Sequence, residues 1–118
     1  MTSYEVRHYT TETGVDPFGE WVHGLRDRKA AAKISSRIDR LALGNFGDHR
    51  ALDGGVYELR VDWGPGCRVY FGRVGKVILL LLRGGDKATQ QKDIEHAKAY
   101  LNDYQTRTRK ARPGERPS

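Results

Sequence analysis

The chain has 118 residues, the length of one compact domain, and its composition is 37% hydrophobic and 31% charged with a mean hydropathy of −0.71. That balance suits a water-soluble globule and excludes a membrane protein. Lys and Arg number 21 against 15 Asp and Glu, a formal net charge of +6, so a polyanion is the first partner to consider.

The longest apolar run covers residues 77–82, far too short to span a bilayer. The opening Met1-Thr2-Ser3-Tyr4-Glu5 has neither a basic n-region nor an apolar h-region, which points to the cytoplasm. One cysteine, Cys67, cannot form an intramolecular disulfide, and with four scattered histidines it supplies no zinc motif, so neither metal nor cofactor is expected.

Tyr4, Val6 and Tyr9, with Glu5 and Arg7 between them, predict a first strand. Asp16-Pro17 places an N-cap before a proline suited to the first helical position, and Phe18, Trp21, Val22 and Leu25 follow as one apolar stripe ending near Gly24. Asp27 can cap a second helix in which Ala31, Ile34, Ile38 and Leu41 share a face and Gly44 supplies the stop. Lys29, Lys33, Arg37 and Arg40 gather on the neighbouring face, and the two helices are expected to form a hairpin. Residues 45–55, rich in Gly, Asp and Asn, predict a loop.

From Val56 the period becomes two, with Tyr57, Leu59 and Val61 pointing one way and Glu58, Arg60 and Asp62 the other. Trp63-Gly64-Pro65-Gly66 signals a turn into a second alternating strand, Arg68-Val69-Tyr70-Phe71. After a second turn at Val74-Gly75-Lys76, the uninterrupted apolar run predicts a strand covered on both faces. Asp86 or Thr89 can cap a last helix, whose stripe is Ile94, Ala97, Leu101 and Tyr104. Residues 106–118 lose the apolar period and predict a basic, disordered tail after a domain of residues 1–105. The order β-α-α-β-β-β-α makes the fold class α+β.

The alternation carries a functional expectation. With Tyr57, Leu59, Val61, Val69 and Phe71 in the core, Arg60, Arg68 and Tyr70 share the opposite sheet face, and Lys87 follows the end of the adjoining strand. One outcome is a solvated face whose arginines pair with Glu58 and Asp62. The other is a phosphate grip, since guanidinium forks suit phosphate oxygens and can stabilise a phosphoryl transition state without a metal. Cleavage also needs an acid and a base, which Tyr70 or Lys87 could supply if neighbouring cations lower their pKa values. His49, beside Arg50 in the loop, is the histidine best placed for such a role, while His8, His23 and His96 read as structural or exposed. Arg50, His49, Arg73, Lys33 and Arg37 complete the candidate RNA contacts. No Walker loop, Gly-x-Ser-x-Gly or paired metal-ligand histidines occur.

Trp21-Val22-His23-Gly24-Leu25-Arg26-Asp27-Arg28, Arg37-Ile38-Asp39-Arg40-Leu41-Ala42-Leu43-Gly44-Asn45, Tyr57-Glu58-Leu59-Arg60-Val61-Asp62-Trp63-Gly64-Pro65-Gly66, Arg68-Val69-Tyr70-Phe71 and Leu82-Arg83-Gly84-Gly85-Asp86-Lys87 together carry a family resemblance. Over residues 4–104 the chain resembles the addiction-module killer proteins, phage-derived HigB-like toxins of the RelE/ParE superfamily. The resemblance implies a bacterial type II toxin that cleaves mRNA on the ribosome, paired with a helix-turn-helix antitoxin in a hetero-oligomer. Its family positions correspond to Arg68, placed first for transition-state stabilisation, then Arg60 and Lys87; Tyr70 and Arg50 are weaker candidates from the residues themselves. It also departs from the RelE pattern: Val56 and Glu58 stand where lysines precede the strand arginine, and Asp93 and Ile94 where a tyrosine opens the last helix. Two alternatives stay open, a ParE-like gyrase inhibitor and a domain that binds nucleic acid without catalysis.

Overall fold

In a computed structural model, which describes residues 3–111, the chain forms one five-stranded mixed sheet and three α-helices. The elements are β1 (Glu5–His8), α1 (Pro17–His23), α2 (Arg28–Ala42), β2 (His49–Ala51), β3 (Val56–Val61), β4 (Cys67–Val74), β5 (Ile78–Asp86) and α3 (Gln90–Ala111). The sheet order is β1-β5-β4-β3-β2, with β1 parallel to β5 and every other pair antiparallel. The class is α+β, as the grouping of elements predicts.

Local chemistry accounts for the helix starts. Asp16 accepts a hydrogen bond from the Gly19 amide at 2.9 Å with Pro17 at the first helical position, and Asp27 accepts from Lys29 and Ala30 at 3.0 and 3.2 Å. Between the two candidate caps of the last helix, Asp86 wins. It accepts from the Ala88 and Thr89 amides and opens a short 3₁₀ turn, Lys87–Thr89, that leads into α3.

The apolar run becomes β5, flanked by β1 and β4 and covered on both faces. Leu79 and Leu81 enter a core with Phe18, Ile34, Leu41, Leu59, Val69 and Phe71 beneath α1 and α2. Leu80 and Leu82 enter a second core with Tyr9, Val56, Tyr70, Ala97 and Leu101 beneath α3. Each fully buried leucine contributes roughly 2 kcal/mol of transfer free energy. The result is a three-layer sandwich, helices on both sides of one sheet.

Three expectations are corrected. The segment 45–55 is not all loop: β2 pairs with β3 as an edge strand, and a 3₁₀ turn, Asp53–Gly55, follows it. The sheet face opposite the first core is not a solvated polar surface, because α3 packs on it. The last helix does not stop near residue 105 but continues to Ala111, where Arg107 holds Asp103 one turn back and donates to the Thr10 carbonyl at 2.6 Å. The rest of the expected tail, residues 112–118, lies outside the described residues.

Candidate functional site

The α3-facing side of the sheet carries two lateral rows of polar side chains. Register aligns Arg50 on β2 with Glu58 on β3, Tyr70 on β4 and Arg83 on β5. The next row aligns Arg60 on β3, Arg68 on β4 and Gly85 on β5. A bulge in β5 beside Tyr70 and Phe71 puts both Leu82 and Arg83 on this face, so an arginine follows directly on a core leucine.

Glu58 organises the first row. Its side chain is 0% exposed, a position a carboxylate occupies only with donors around it. Oε1 accepts from Arg50 Nε at 2.9 Å. Oε2 accepts from Gln90 Nε2 at 2.8 Å and from the Tyr70 hydroxyl at 3.3 Å, and Arg68 Nε stands 3.5 Å away. The donors come from β2, β4 and the first residue of α3. Two guanidinium groups thus share one carboxylate, leaving a local charge of +1.

A second buried carboxylate sits beside it. Asp93 on α3 accepts from Arg83 Nε at 2.6 Å and from the Thr89 hydroxyl at 2.5 Å. Gly85 opposite leaves room for it, since a side chain there would run into the Asp93 carboxylate. This arrangement ties the start of α3 to the end of β5, immediately beside Lys87.

The candidate residues separate accordingly. Arg50 and Arg68 meet at Glu58, with side-chain exposures of 48% and 15%. Arg60 lies beside Arg68 in register but turns its guanidinium to Asp48 Oδ1, at 2.8 and 3.1 Å, in an exposed pair worth little energy. Lys87 is exposed, two residues beyond Gly85, the register partner of Arg68. Tyr70 is corrected most sharply: it is fully buried, and burial, reinforced by the charges of Glu58 and Asp93, raises its phenol pKa against the opposing effect of Arg68. It holds its proton where the expected role required losing it.

The remaining candidates lie elsewhere. His49, one residue from Arg50 on β2, faces the opposite way, with its ring edge-on to Phe46 and Nδ1 2.8 Å from the Gly47 carbonyl oxygen. Arg73 stands at the far end of β4, where its guanidinium donates to the Tyr4 hydroxyl at 3.2 Å and lies over the Tyr4 ring. Arg37 spends its guanidinium on the carbonyls of Arg60, Phe46 and Asp48. Lys33 rests over the Trp63 ring, 4.9 Å from its centroid. Lys33 and Arg37 line a groove with Arg40, Asp48 and Asp62 on the other side of the sheet from Glu58.

Sequence reasoning missed Gln90, Arg83 and Asp93 as site residues. The signal for Glu58 was present, since alternation sets it with Tyr70 opposite, but a charged residue on an alternating strand reads as solvated until the helix that covers it is placed. Among the described residues, no three His, Cys, Asp or Glu side chains group in a way that could hold a metal ion, and no helix is long and apolar enough to cross a membrane.

No model of a known protein family matches the chain. It is similar to an uncharacterized protein of Haemophilus influenzae, at 49% identity over 81 residues covering 69% of this chain and 82% of that protein. At that identity and coverage, the chain belongs to the same family as the Haemophilus influenzae protein.

Proposed function

We propose that the protein is the toxin of a type II toxin–antitoxin pair, built on a RelE/ParE-like scaffold and acting in the cytoplasm as a ribosome-dependent mRNA endonuclease. The observation that carries this reading is the convergence of Arg50 and Arg68 on one buried carboxylate. It brings two guanidinium groups, one from each neighbouring strand, to a single carboxylate, with one unit of positive charge left over for a phosphate. Arg60 stands beside Arg68 in register and Lys87 follows the end of β5, and the family resemblance supports Arg68, Arg60 and Lys87.

In the proposed reaction the ribose 2′-oxygen bonds to the adjacent phosphorus and the P–O5′ bond breaks. The 2′-hydroxyl proton goes to a base and O5′ takes a proton from an acid, giving a 2′,3′-cyclic phosphate and a free 5′-hydroxyl. Arg68 and Arg50 stabilise the charge that builds on the non-bridging oxygens. Exposed Lys87 is the proton donor for O5′. A helix-turn-helix antitoxin restrains the toxin by covering this edge of the sheet.

Purified protein added to translating ribosomes cuts mRNA at the A site on this reading, and Arg68→Ala abolishes the cuts; uncut mRNA with the wild-type protein overturns it. One observation favours a second reading. Tyr70 is buried with a raised pKa and Glu58 is capped on both oxygens, so neither offers itself as an acid or base. A ParE-like toxin that inhibits gyrase without cutting RNA needs neither, and loss of supercoiling activity without RNA cleavage identifies it.

A further inference from the structure

We propose that Glu58 is a positioning residue rather than a proton acceptor: it sets Arg50 and Arg68 as the two halves of one phosphate-binding fork. The inference rests on the phosphate-gripping reading above and names the device that builds the grip.

The hydrogen bonds support it. Arg50 binds Glu58 through Nε alone, and among the described residues its two terminal nitrogens have no hydrogen-bond partner, on a side chain 48% exposed. Arg68 approaches the same carboxylate through Nε at 3.5 Å, and Nη1 donates to the Gly66 carbonyl at 3.3 Å. Nε is the Arg68 nitrogen that is buried without a hydrogen bond, so Nη2 remains for a ligand. The Nε hydrogen bond fixes the plane of the Arg50 guanidinium and leaves its terminal edge for an anion, while Arg68 is held by the 3.5 Å ion pair with Glu58 and by its Nη1 bond to Gly66.

Glu58 itself has nothing left for catalysis. Oε1 is taken by Arg50, and Oε2 by Gln90 and Tyr70 with Arg68 close by. With three donors on its oxygens and a side chain 0% exposed, this carboxylate is out of reach of a ribose hydroxyl. Fixing two long cationic side chains in advance also lowers the ordering cost of ligand binding. Gln90 extends the device to α3, since its amide completes the shell around Oε2.

The test turns on a contradiction between charge and geometry. Glu58→Gln raises the net charge by one, which by long-range attraction alone tightens RNA binding. Positioning demands the opposite. The probes are a 2′-O-methyl oligoribonucleotide, which cannot undergo 2′-oxygen attack, read by fluorescence anisotropy, and inorganic phosphate, read by the Nε–Hε resonances of Arg50 and Arg68. Glu58→Gln is expected to weaken oligonucleotide binding at least ~10-fold and to remove the phosphate-induced shifts, the loss of a charge-assisted contact being worth about that factor. Arg50→Lys, checked as folded by circular dichroism, keeps the charge beside Glu58 but loses the fork and should weaken binding comparably. Equal or tighter binding by folded Glu58→Gln overturns the proposal. So does wild-type affinity in Arg50→Lys, or phosphate that leaves both arginine resonances of the wild-type protein unmoved. If the variants weaken binding as expected while ribosome-bound mRNA stays uncut, the positioning role stands and the nuclease reading fails.

Discussion

Replacing Arg37 with alanine separates a structural role from an RNA contact at a residue where the sequence favoured the contact. Arg37 Nη1 donates to the Arg60 carbonyl at 2.5 Å, and Nη2 donates to the carbonyls of Phe46 and Asp48 at 3.1 and 3.2 Å. One side chain of α2 therefore pins β3 and the segment before β2. Burial lowers the guanidinium pKa, with nearby Arg40 adding to the effect. A hydrogen bond from a charged donor contributes about 1.5–3 kcal/mol, and because three share one guanidinium the expected loss is about 3 kcal/mol rather than their sum. In a domain of this size each kcal/mol moves Tm by roughly 3–5 °C, so Arg37→Ala should melt about 10–15 °C lower by circular dichroism. Arg37→Lys, with a single ammonium, restores only part of this. Gly47 fits the same clasp: its φ is +64°, and an added Cβ would stand 2.9 Å from Arg37 Nη2. A variant that melts within about 2 °C of wild type but binds RNA ~10-fold more weakly would refute the clasp and restore Arg37 to the binding surface.

Gly84→Ala should lower the urea midpoint by the equivalent of about 1–3 kcal/mol, because an added Cβ would be driven into the Trp21 ring; an unchanged midpoint contradicts that contact. Tyr9 has its phenol pKa pushed up to about 12, first by burial and then by its hydrogen bond to Asp103. The folded value exceeds the ordinary 10, so the contribution of Tyr9 is complete below pH 10 and is lost as pH rises from 10 towards 12, about 3 kcal/mol in all. Urea melts between pH 9 and 12 should show a shallower alkaline loss for Tyr9→Phe than for wild type, with identical slopes counting against the account. Trp63→Phe removes the indole bond to Asp27 Oδ2 at 2.9 Å, the first of the contacts that hold that carboxyl below its ordinary range. Carbon-detected NMR should find the Asp27 pKa higher in the variant, and an unmoved titration would show that the indole bond is not made in solution.

The elements whose information is local were legible. Caps at Asp16 and Asp27, period-two alternation from Val56 and an apolar run too continuous for an edge strand are written in neighbouring residues, and they located α1, α2, β3 and β5. β2 was not, because its three residues are all exposed and show no alternation to set against their Gly- and Asp-rich surroundings. The end of α3 was hidden for a related reason. Its last turns bury little, and Arg107 secures them to Asp103 and to Thr10, whose position 97 residues away no local pattern encodes.

The candidate site shows the same division. Alternation put Arg60, Arg68 and Tyr70 on one face, and the register agrees. What it could not supply was the layer above them. Once α3 covers that face, Glu58 and Tyr70 become buried, Gln90 joins them, and Arg60 and Arg68 acquire different partners despite standing side by side. Glu58 and Asp93, two of the four positions at which the sequence departs from the RelE pattern it resembles, are the buried carboxylates among the described residues; Arg83 pairs with Asp93, and Arg50 and Arg68 share Glu58.

We propose that the paired arginines at Glu58 make this protein an RNA-cleaving toxin. Controlled expression of the wild-type chain and of Arg68→Ala in growing bacteria, with transcriptome-wide mapping of new RNA 5′ ends, tests it most directly. Growth arrest with new 5′-hydroxyl ends inside translated reading frames is expected for the wild type, and neither for Arg68→Ala expressed at the same level. Arrest without new ends, or equal cleavage by both proteins, would contradict it.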